Sequence, residues 1–308
     1  MTVAMQRTQN AATPASPPMP NFFIIGAAKS GTTSLANYLG GHPDVFMPKW
    51  KEPAYFTSPE IPGLHDWNGY LQLFQEGRGV KAIGEASTHY LSSPEAPGMI
   101  KDAYGDTRIK LIAILRNPVD MMYSHWAHIR RLGWEHRSAE KALLGSFKEP
   151  VWDPARWFLL HAHRVRYFEQ LSRYYELFGK DDIKIYLFEE FFADVLPNFM
   201  ELCRFLDIRT DYVPILKTHN EGYRLRSDRL QRIIAVHYGK YVLPIVKYLI
   251  PPFIRQSVGR RITQWNNGGA KPLAPMDEHL RSEMQELLTP GVRNLETLLG
   301  RNLSKVWF

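Results

Sequence analysis

The sequence predicts an α/β protein in which helices cover both faces of a central parallel β-sheet. Short apolar runs alternate along the chain with longer segments of helical periodicity, and this alternation is typical of a parallel sheet. The runs are continuous rather than alternating, as in strands that are buried on both faces. The predicted strands are residues 22–25, 80–84, 109–115 and 183–188.

Helices are predicted where apolar residues recur every three or four positions. The first helix follows the opening strand, and Thr32 or Thr33 is suited to be its N-cap. Pro118 lies at the first position of a later helix, where proline is favoured. The other predicted helices are residues 67–74, 94–104, 156–178 and 196–206, and two separate helices at 280–288 and 292–299.

Two segments stand apart from this pattern. Residues 1–20 are rich in Ala, Pro, Thr and Gln and lack the apolar stretch of a signal peptide, which predicts a disordered tail on a cytoplasmic protein. No repeat or linker divides residues 21–308, so we expect a single domain. Within it, residues 229–262 are apolar with basic flanks but too interrupted for a membrane span. They form core helices, a helical lid over the acceptor site, or, through 233–254, a peripheral contact with the inner face of a membrane.

Composition and net charge limit the classes of ligand that the protein is expected to bind. The net charge of +7 and the pI near 9.3 favour an anionic ligand or surface. Nucleic acid is not expected, since no basic run is long or interleaved with stacking aromatic residues. Cys203 is the single cysteine, so the chain has no internal disulfide and no zinc pattern. No metal site is predicted.

The first strand leads into a loop of small residues with one cation, followed by a helix. Small residues allow backbone N–H groups to approach a ligand closely, and a helix N-terminus carries about half a positive charge. A strand, small-residue loop, lysine and helix together predict an anion cradle, most often for phosphate. An ordinary turn that binds nothing is the alternative. The candidate residues are Lys29, Ser30, Gly31, Thr32, Thr33 and Ser34.

The cradle is not a Walker A loop, because Lys29 precedes Gly31 instead of following the second glycine. The strand at 109–115 ends in Arg116 and not in an acidic Mg²⁺ ligand. Ser124, on the next helix, can hold a phosphate together with Arg116. This pattern predicts a nucleotide with two separated anionic groups, bound without metal.

These motifs resemble those of the sulfotransferases that use 3'-phosphoadenosine 5'-phosphosulfate (PAPS). Residues 23–35, Phe-Ile-Ile-Gly-Ala-Ala-Lys-Ser-Gly-Thr-Thr-Ser-Leu, resemble the 5'-phosphosulfate loop of that family. Residues 115–126, Leu-Arg-Asn-Pro-Val-Asp-Met-Met-Tyr-Ser-His-Trp, resemble its 3'-phosphate motif. The resemblance implies a P-loop-NTPase-like fold and PAPS as co-substrate. A Gly-rich loop at 265–271 resembles the family's late cofactor loop and adds the candidates Gly268, Gly269 and Lys271.

Residues 42–45 and 51–56, His-Pro-Asp-Val and Lys-Glu-Pro-Ala-Tyr-Phe, resemble the heparan-sulfate type and its bacterial relatives. That branch uses a Glu as base, which corresponds here to Glu52, and the small-phenol type uses a His. A surface acid paired with Lys49 or Lys51 is the alternative reading of Glu52, and His89 is a second candidate base.

The implied reaction is in-line sulfuryl transfer to a hydroxyl, less readily an amine, with Lys29 stabilising charge on the leaving group. The expected acceptor is a glycan, a lipid-linked molecule or a secondary metabolite. The rival hypotheses are a nucleotide or small-molecule kinase and a non-catalytic nucleotide-binding scaffold.

Overall fold

A five-stranded parallel sheet forms the centre of the protein, in the order β2-β3-β1-β4-β5. A computed structural model describes residues 17–149, 152–216, 223–224 and 271–308, the pairs 223–224 and 271–272 as backbone only. Its strands are β1 (Phe22–Gly26), β2 (Val45–Phe46), β3 (Ala82–Ala86), β4 (Lys110–Leu115) and β5 (Ile183–Leu187), with β6 (Tyr223–Arg224) and β7 (Lys271–Pro272) pairing separately.

Helices cover both faces of the sheet. They are α1 (Thr32–Gly40), α2 (Trp67–Gln72), α3 (His89–Ser92), α4 (Ala96–Tyr104), α5 (Pro118–Leu132), α6 (Ala139–Gly145), α7 (Tyr167–Leu177), α8 (Phe188–Ala193), α9 (Val195–Phe205), α10 (Glu278–Leu299) and α11 (Ser304–Trp307). Alternate side chains of β1 point to opposite faces: Phe22 and Ile24 pack with α1 and α9, whereas Phe23 and Ile25 pack with α4, α5, α7 and α10. The predicted fold class is confirmed, and the strand order is that of the P-loop-NTPase-like fold.

The strand order reverses at β1, with β3 on one side of it and β4 on the other. In Cα register, Phe22 lies beside both Gly84 of β3 and Lys110 of β4. The carboxyl ends of these three adjacent strands therefore open onto the same edge. Ligands of open α/β sheets bind at such a switch point.

Two helix predictions were wrong. The segment 156–178 is not one helix, since the backbone leaves the helical conformation at Leu160 and Arg166 and only α7 is α-helical. His161 and His163 turn inward there to hydrogen-bond His125 and the carbonyl of Ser92. These buried hydrogen bonds stabilise a backbone that is not one continuous helix, although the apolar residues recur with helical spacing.

The segment 280–299 is one helix, α10, and not two. Pro290 lies inside it, although proline removes a backbone hydrogen bond from a helix. A continuous buried stripe on one side holds the helix together across that gap. The stripe consists of Leu280, Met284, Leu288, Val292 and Leu295.

Two of the segments singled out in the sequence lie wholly or mainly outside the described residues. Of the predicted tail, only residues 17–20 are described, and the carbonyl of Pro20 accepts a hydrogen bond of 2.7 Å from the Tyr104 hydroxyl. The segment 229–262 is outside the described part of the chain. In the described residues, no helix combines the length and apolar character needed to cross a membrane.

Candidate functional site

The loop after β1 presents an uncapped helix N-terminus. The N-cap of α1 is Gly31, in the left-handed conformation with φ 80°, and no side chain caps the helix. The expectation that Thr32 or Thr33 caps α1 was therefore wrong, because both lie inside the first turn. The first-turn N–H groups have no intrahelical partner and open onto a cleft. They are available to an anion.

Lys29 and Arg116 are joined across the ends of β1 and β4. The Nη1 of Arg116 donates a hydrogen bond of 3.0 Å to the carbonyl of Lys29. The guanidinium also stacks on the Phe188 ring, 4.7 Å from its centroid. Burial, then the charges of Arg131, Arg116 and Lys51, lower the pKa of Lys29 to about 8. Cations this close destabilise one another, and a bound anion would relieve that repulsion.

The helix that carries Ser124 begins directly after Arg116. The side chain of Asn117 caps α5 by accepting from the N–H groups of Val119 and Asp120, at 3.0 and 3.5 Å. Ser124 lines the same cleft as Arg116.

Glu52 is held against the end of β3 by the backbone. Its N–H donates to the carbonyl of Ala86 at 3.0 Å, and the N–H of Ala54 donates to Ser87 Oγ at 2.9 Å. Glu52 and Ala54 have φ 61° and 51°, a conformation that costs a non-glycine residue about 1–2 kcal/mol. The two hydrogen bonds fix the segment in this strained form.

The carboxylate of Glu52 has three polar neighbours. Lys51 Nζ lies 2.6 Å from Oε1, while Thr88 Oγ1 donates to Oε2 at 3.2 Å and His89 Nδ1 lies 3.6 Å from Oε2. Burial alone would raise the pKa of Glu52, but Lys51, His89 and Thr88 together lower it. The carboxylate is ionised at neutral pH, and about a third of the side chain is exposed to the cleft.

His89 is neutral. Burial, then the charge of Arg164, lowers its pKa to about 4, against the opposing effect of Glu52. Neither ring nitrogen has a hydrogen-bond partner within the described residues. The ring packs edge-on against Trp157, with centroids 4.6 Å apart.

A cleft of about 1030 Å³ brings most of the predicted site together. Ser30 differs in that its side chain is fully buried and its hydroxyl donates to the carbonyl of Ala28 at 3.3 Å. Gly268 and Gly269 lie outside the described residues, and only the backbone of Lys271 is described, in β7. The predicted residues that line the cleft are Lys29, Gly31, Thr32, Thr33, Ser34, Glu52, His89, Arg116 and Ser124.

Sequence reasoning missed several side chains that line the same cleft. His128 and Arg131 follow Ser124 at helical spacing on α5, so the polar stripe of that helix was a usable signal. Burial, then the charges of Lys29 and Arg131, lowers the pKa of His128 to about 4. A second wall, formed by Trp134, Trp157 and Arg164, comes from the segment between α5 and α7. The aromatic residues of 126–158 are recognisable in the sequence as candidates for stacking on an acceptor, but no local motif marks Arg164.

A buried hydrogen-bonded chain ends at the cleft in His125. Its Nδ1 lies 2.9 Å from Nδ1 of His161, whose Nε2 lies 3.4 Å from Oε2 of Glu135. Hydrogen bonds from His161 and Arg137 outweigh burial and lower the pKa of Glu135, whereas burial lowers those of both histidines. Because an ionised carboxylate only accepts, His161 carries its hydrogen on Nε2 and His125 on Nδ1. This leaves Nε2 of His125 as an acceptor.

Within the described part of the chain, no three His, Cys, Asp or Glu side chains are grouped so as to hold a metal ion. The donors that line the cleft are mainly cations, hydroxyls and imidazoles.

A family model and a solved structure both relate this chain to sulfotransferases. The family model described as "Sulfotransferase domain" matches residues 19–235, more than half of the chain. A solved structure of a sulfotransferase from Alicyclobacillus acidocaldarius has 29% sequence identity and a TM-score of 0.68, covering 94% of this chain and 98% of that one.

Two curated relatives match over shorter stretches. The membrane-associated sulfotransferase kil1 of Dictyostelium discoideum is 33% identical over 44% of this chain and 28% of its own length. The human bifunctional heparan sulfate N-deacetylase/N-sulfotransferase 2 is 31% identical over 37% of this chain and 13% of its own. The chain thus spans less than a third of the length of each of these relatives.

Proposed function

Because the chain belongs to the family defined by the sulfotransferase domain, we propose that it transfers a sulfuryl group from PAPS to an acceptor hydroxyl. The observation that carries this proposal is the meeting of the loops that follow β2, β1 and β4 at one edge of the sheet, where the loop after β2 lies against the end of β3. They bring Glu52, Lys29 and Arg116 to one cleft. A kinase would require an acidic Mg²⁺ ligand after β4, where Arg116 stands.

The two anionic ends of PAPS match two groups of donors. Lys29 and the first-turn N–H groups of α1 suit the 5'-phosphosulfate, and Arg116 with Ser124 suits the 3'-phosphate. When bound, PAPS supplies a sulfuryl group on a good leaving group. Gly268, Gly269 and Lys271 remain predicted contributors to the nucleotide site on the family resemblance.

Glu52 is the proposed base. Its ionised carboxylate would accept the proton of the acceptor hydroxyl, while Lys51 and Thr88 hold the carboxylate in place. Glu52 is favoured over His89 because its side chain is 31% exposed and that of His89 only 12%. Lys29, protonated below a pKa of about 8, would stabilise the charge that grows on the leaving phosphate.

The relatives and the aromatic side chains of the cleft support a proposal for the acceptor class. One relative is named for an N-sulfotransferase acting on heparan sulfate, and aromatic side chains at Trp134 and Trp157 suit stacking on a sugar ring or a flat metabolite. We propose a hydroxyl of a carbohydrate or another alcohol, with an amine as the alternative. Lipid-linked acceptors and membrane contact through 233–254 remain predictions on residues outside those described.

Calorimetric titration of adenosine 3',5'-bisphosphate (PAP), with EDTA present, tests the donor site. We expect micromolar binding that Lys29→Ala and Arg116→Ala each weaken at least about tenfold, since each removes a charge-assisted contact. Lys148→Ala, which removes an exposed lysine outside the cleft, serves as the control. Tighter binding of ATP with Mg²⁺ would favour the kinase hypothesis instead.

Glu52→Gln separates binding from chemistry. We expect unchanged PAP affinity and a loss of about 10²–10⁴ in the rate of ³⁵S transfer from PAPS to a panel of phenols and glycosides. A larger loss in His89→Gln than in Glu52→Gln would transfer the role of base to His89. PAP binding with no transfer to any acceptor by the native protein would indicate a scaffold.

A further inference from the structure

Arg164 is a buried cation that makes no direct ion pair with any described residue. The side chain is 4% exposed, and its Nε has no hydrogen-bond partner. In the described part of the chain, the guanidinium makes no ion pair, and its one side-chain contact of note is with the ring of Trp157, 5.1 Å away. By contrast, the buried carboxylate of Glu135 is paired with Arg137 at 2.8 Å.

A buried charge without a partner is destabilising, and arginine does not escape this cost by losing its proton. Burial lowers the pKa of Arg164 to about 10, against the opposing effect of Glu52, so the side chain stays charged at neutral pH. Arg164 lines the cleft, as do His89 and Trp157. An anion in the cleft would supply the missing partner.

The donor already has its own cations, Lys29 and Arg116, which lie on the sheet side of the cleft. Arg164 instead stands on the wall formed by the segment between α5 and α7, with Trp157 against its face. Glu52 lines the same cleft and is linked to this wall by His89, whose Nδ1 lies 3.6 Å from Glu52 Oε2 and whose ring packs on Trp157. An acceptor hydroxyl at Glu52 is therefore within a short reach of Arg164.

We propose that Arg164 binds a carboxylate of the acceptor and thereby selects acidic substrates. The N–H groups of a guanidinium form a planar fork that matches the two oxygens of a carboxylate. Trp157 lies against the guanidinium, with Cζ of Arg164 5.1 Å from the ring centroid. The inference rests on the proposed function, since it names the acceptor class of the same cleft.

The test compares two sugars that differ in one group. Phenyl β-D-glucuronide and phenyl β-D-glucoside are titrated calorimetrically into the native protein, each with and without saturating PAP. We expect the glucuronide to bind at least about tenfold tighter than the glucoside, because only the glucuronide offers a carboxylate. Equal affinities, or no measurable binding of the glucuronide, would overturn the proposal.

Two variants test whether Arg164 causes the preference for the glucuronide. Arg164→Gln should lower glucuronide affinity to that of the glucoside and leave PAP affinity within about twofold. Arg166→Gln, the same change at an exposed arginine two residues away, should alter neither. A fall in PAP affinity in Arg164→Gln alone would assign Arg164 to the donor and overturn the inference.

The comparison in the native protein does not depend on whether a variant folds. Failure of PAP to bind would refute the proposed function and would be seen separately from the sugar titrations. Binding of PAP without a preference between the sugars would refute the Arg164 inference alone.

Discussion

The ionisable residues in and behind the cleft differ in how well neighbouring groups balance their charges. Lys29 faces other cations, Glu52 has Lys51 and Thr88, and Glu85 is fully buried behind them at the end of β3. Burial moves the pKa values of Lys29 and Glu85 towards neutrality. Each should therefore give a pH dependence of its own.

PAP binding should weaken as pH rises through about 8. The protonated form of Lys29 attracts the phosphate, and its pKa in the free protein is about 8, so affinity is full below that pH and falls above it. In Lys29→Arg the fall should disappear, because arginine keeps its proton throughout this range. Titrations between pH 6.5 and 9.5 check this. An equal slope in both proteins would show that Lys29 is not responsible.

Stability should fall between pH 4.5 and pH 7 because of Glu85. Burial raises its pKa to about 7, although hydrogen bonds from Ser87, Tyr90 and Tyr70 oppose the shift. The folded state then binds a proton that the unfolded state has lost, so the free energy of unfolding declines as pH rises through this window. The shift corresponds to roughly 3 kcal/mol.

Urea denaturation of the native protein and Glu85→Gln at pH 4.5 and 7.5 measures this contribution. The isosteric amide cannot ionise, so the variant should lack the part of the pH dependence that belongs to Glu85. Other titrating groups, such as the buried histidines, are common to both proteins and cancel in the difference. Parallel profiles would contradict the assignment.

Whole elements depend on a few positions that set the backbone. Gly31 combines φ 80° with close packing, since a Cβ there would lie 2.3 Å from the Phe192 ring. The loop after β1 can therefore present its N–H groups only with glycine at this position.

Gly31→Ala should lower the free energy of unfolding by about 1–3 kcal/mol and weaken PAP binding, because the left-handed backbone and the ring contact are both disturbed. Gly291→Ala is the matched control, since a Cβ there meets nothing within 4 Å and lies in the helix α10. That change should be neutral or slightly stabilising. Chemical denaturation and calorimetry measure the two effects.

Strands and helices were predictable where a local sequence pattern determines the backbone conformation. They were not predictable where contacts between residues distant in sequence determine it. β1, β4 and the start of α5 at Pro118 follow from apolar runs and proline preference. The short strand β2 has too few residues to give a pattern. The break in the predicted helix 156–178 depends on hydrogen bonds from His161 and His163 to residues distant in sequence.

The same division applies to the site. Lys29 and Arg116 were predictable because parallel strands end at a common edge. Glu52 came only from resemblance, since its position depends on a left-handed backbone and a bond to Ala86 that no sequence pattern reports. Arg164 was missed because its significance is the absence of a partner within the described residues, which is a property of the folded chain.

At the scale of the molecule, the last helix supports the cleft. The Trp307 indole donates a hydrogen bond of 2.9 Å to Glu189 Oε2. The backbone carbonyl of Trp307 accepts a hydrogen bond from the side chain of Asn117. Glu189 in turn accepts from the Asn117 N–H at 2.9 Å. The residue after Arg116 is thus tied to both α8 and α11.

Trp307→Ala should lower the free energy of unfolding by about 3–5 kcal/mol, since a buried tryptophan is lost, and should also weaken PAP binding through Asn117 and Arg116. Phe308→Ala removes a neighbouring aromatic side chain that is 40% exposed and should change neither property by much. Denaturation and PAP titration of both variants provide the comparison. Unchanged PAP affinity in a destabilised Trp307→Ala would show that the hydrogen bonds of Trp307 do not affect nucleotide binding.

The two walls of the cleft have separate origins in the chain. The proposed donor side is built on strand ends that the whole sheet must preserve, whereas Trp134, Trp157 and Arg164 belong to one connecting segment between α5 and α7. Substrate choice can therefore diversify during evolution by changes confined to that segment. Grafting it between related enzymes offers a direct way to redirect sulfation while the donor chemistry is inherited intact.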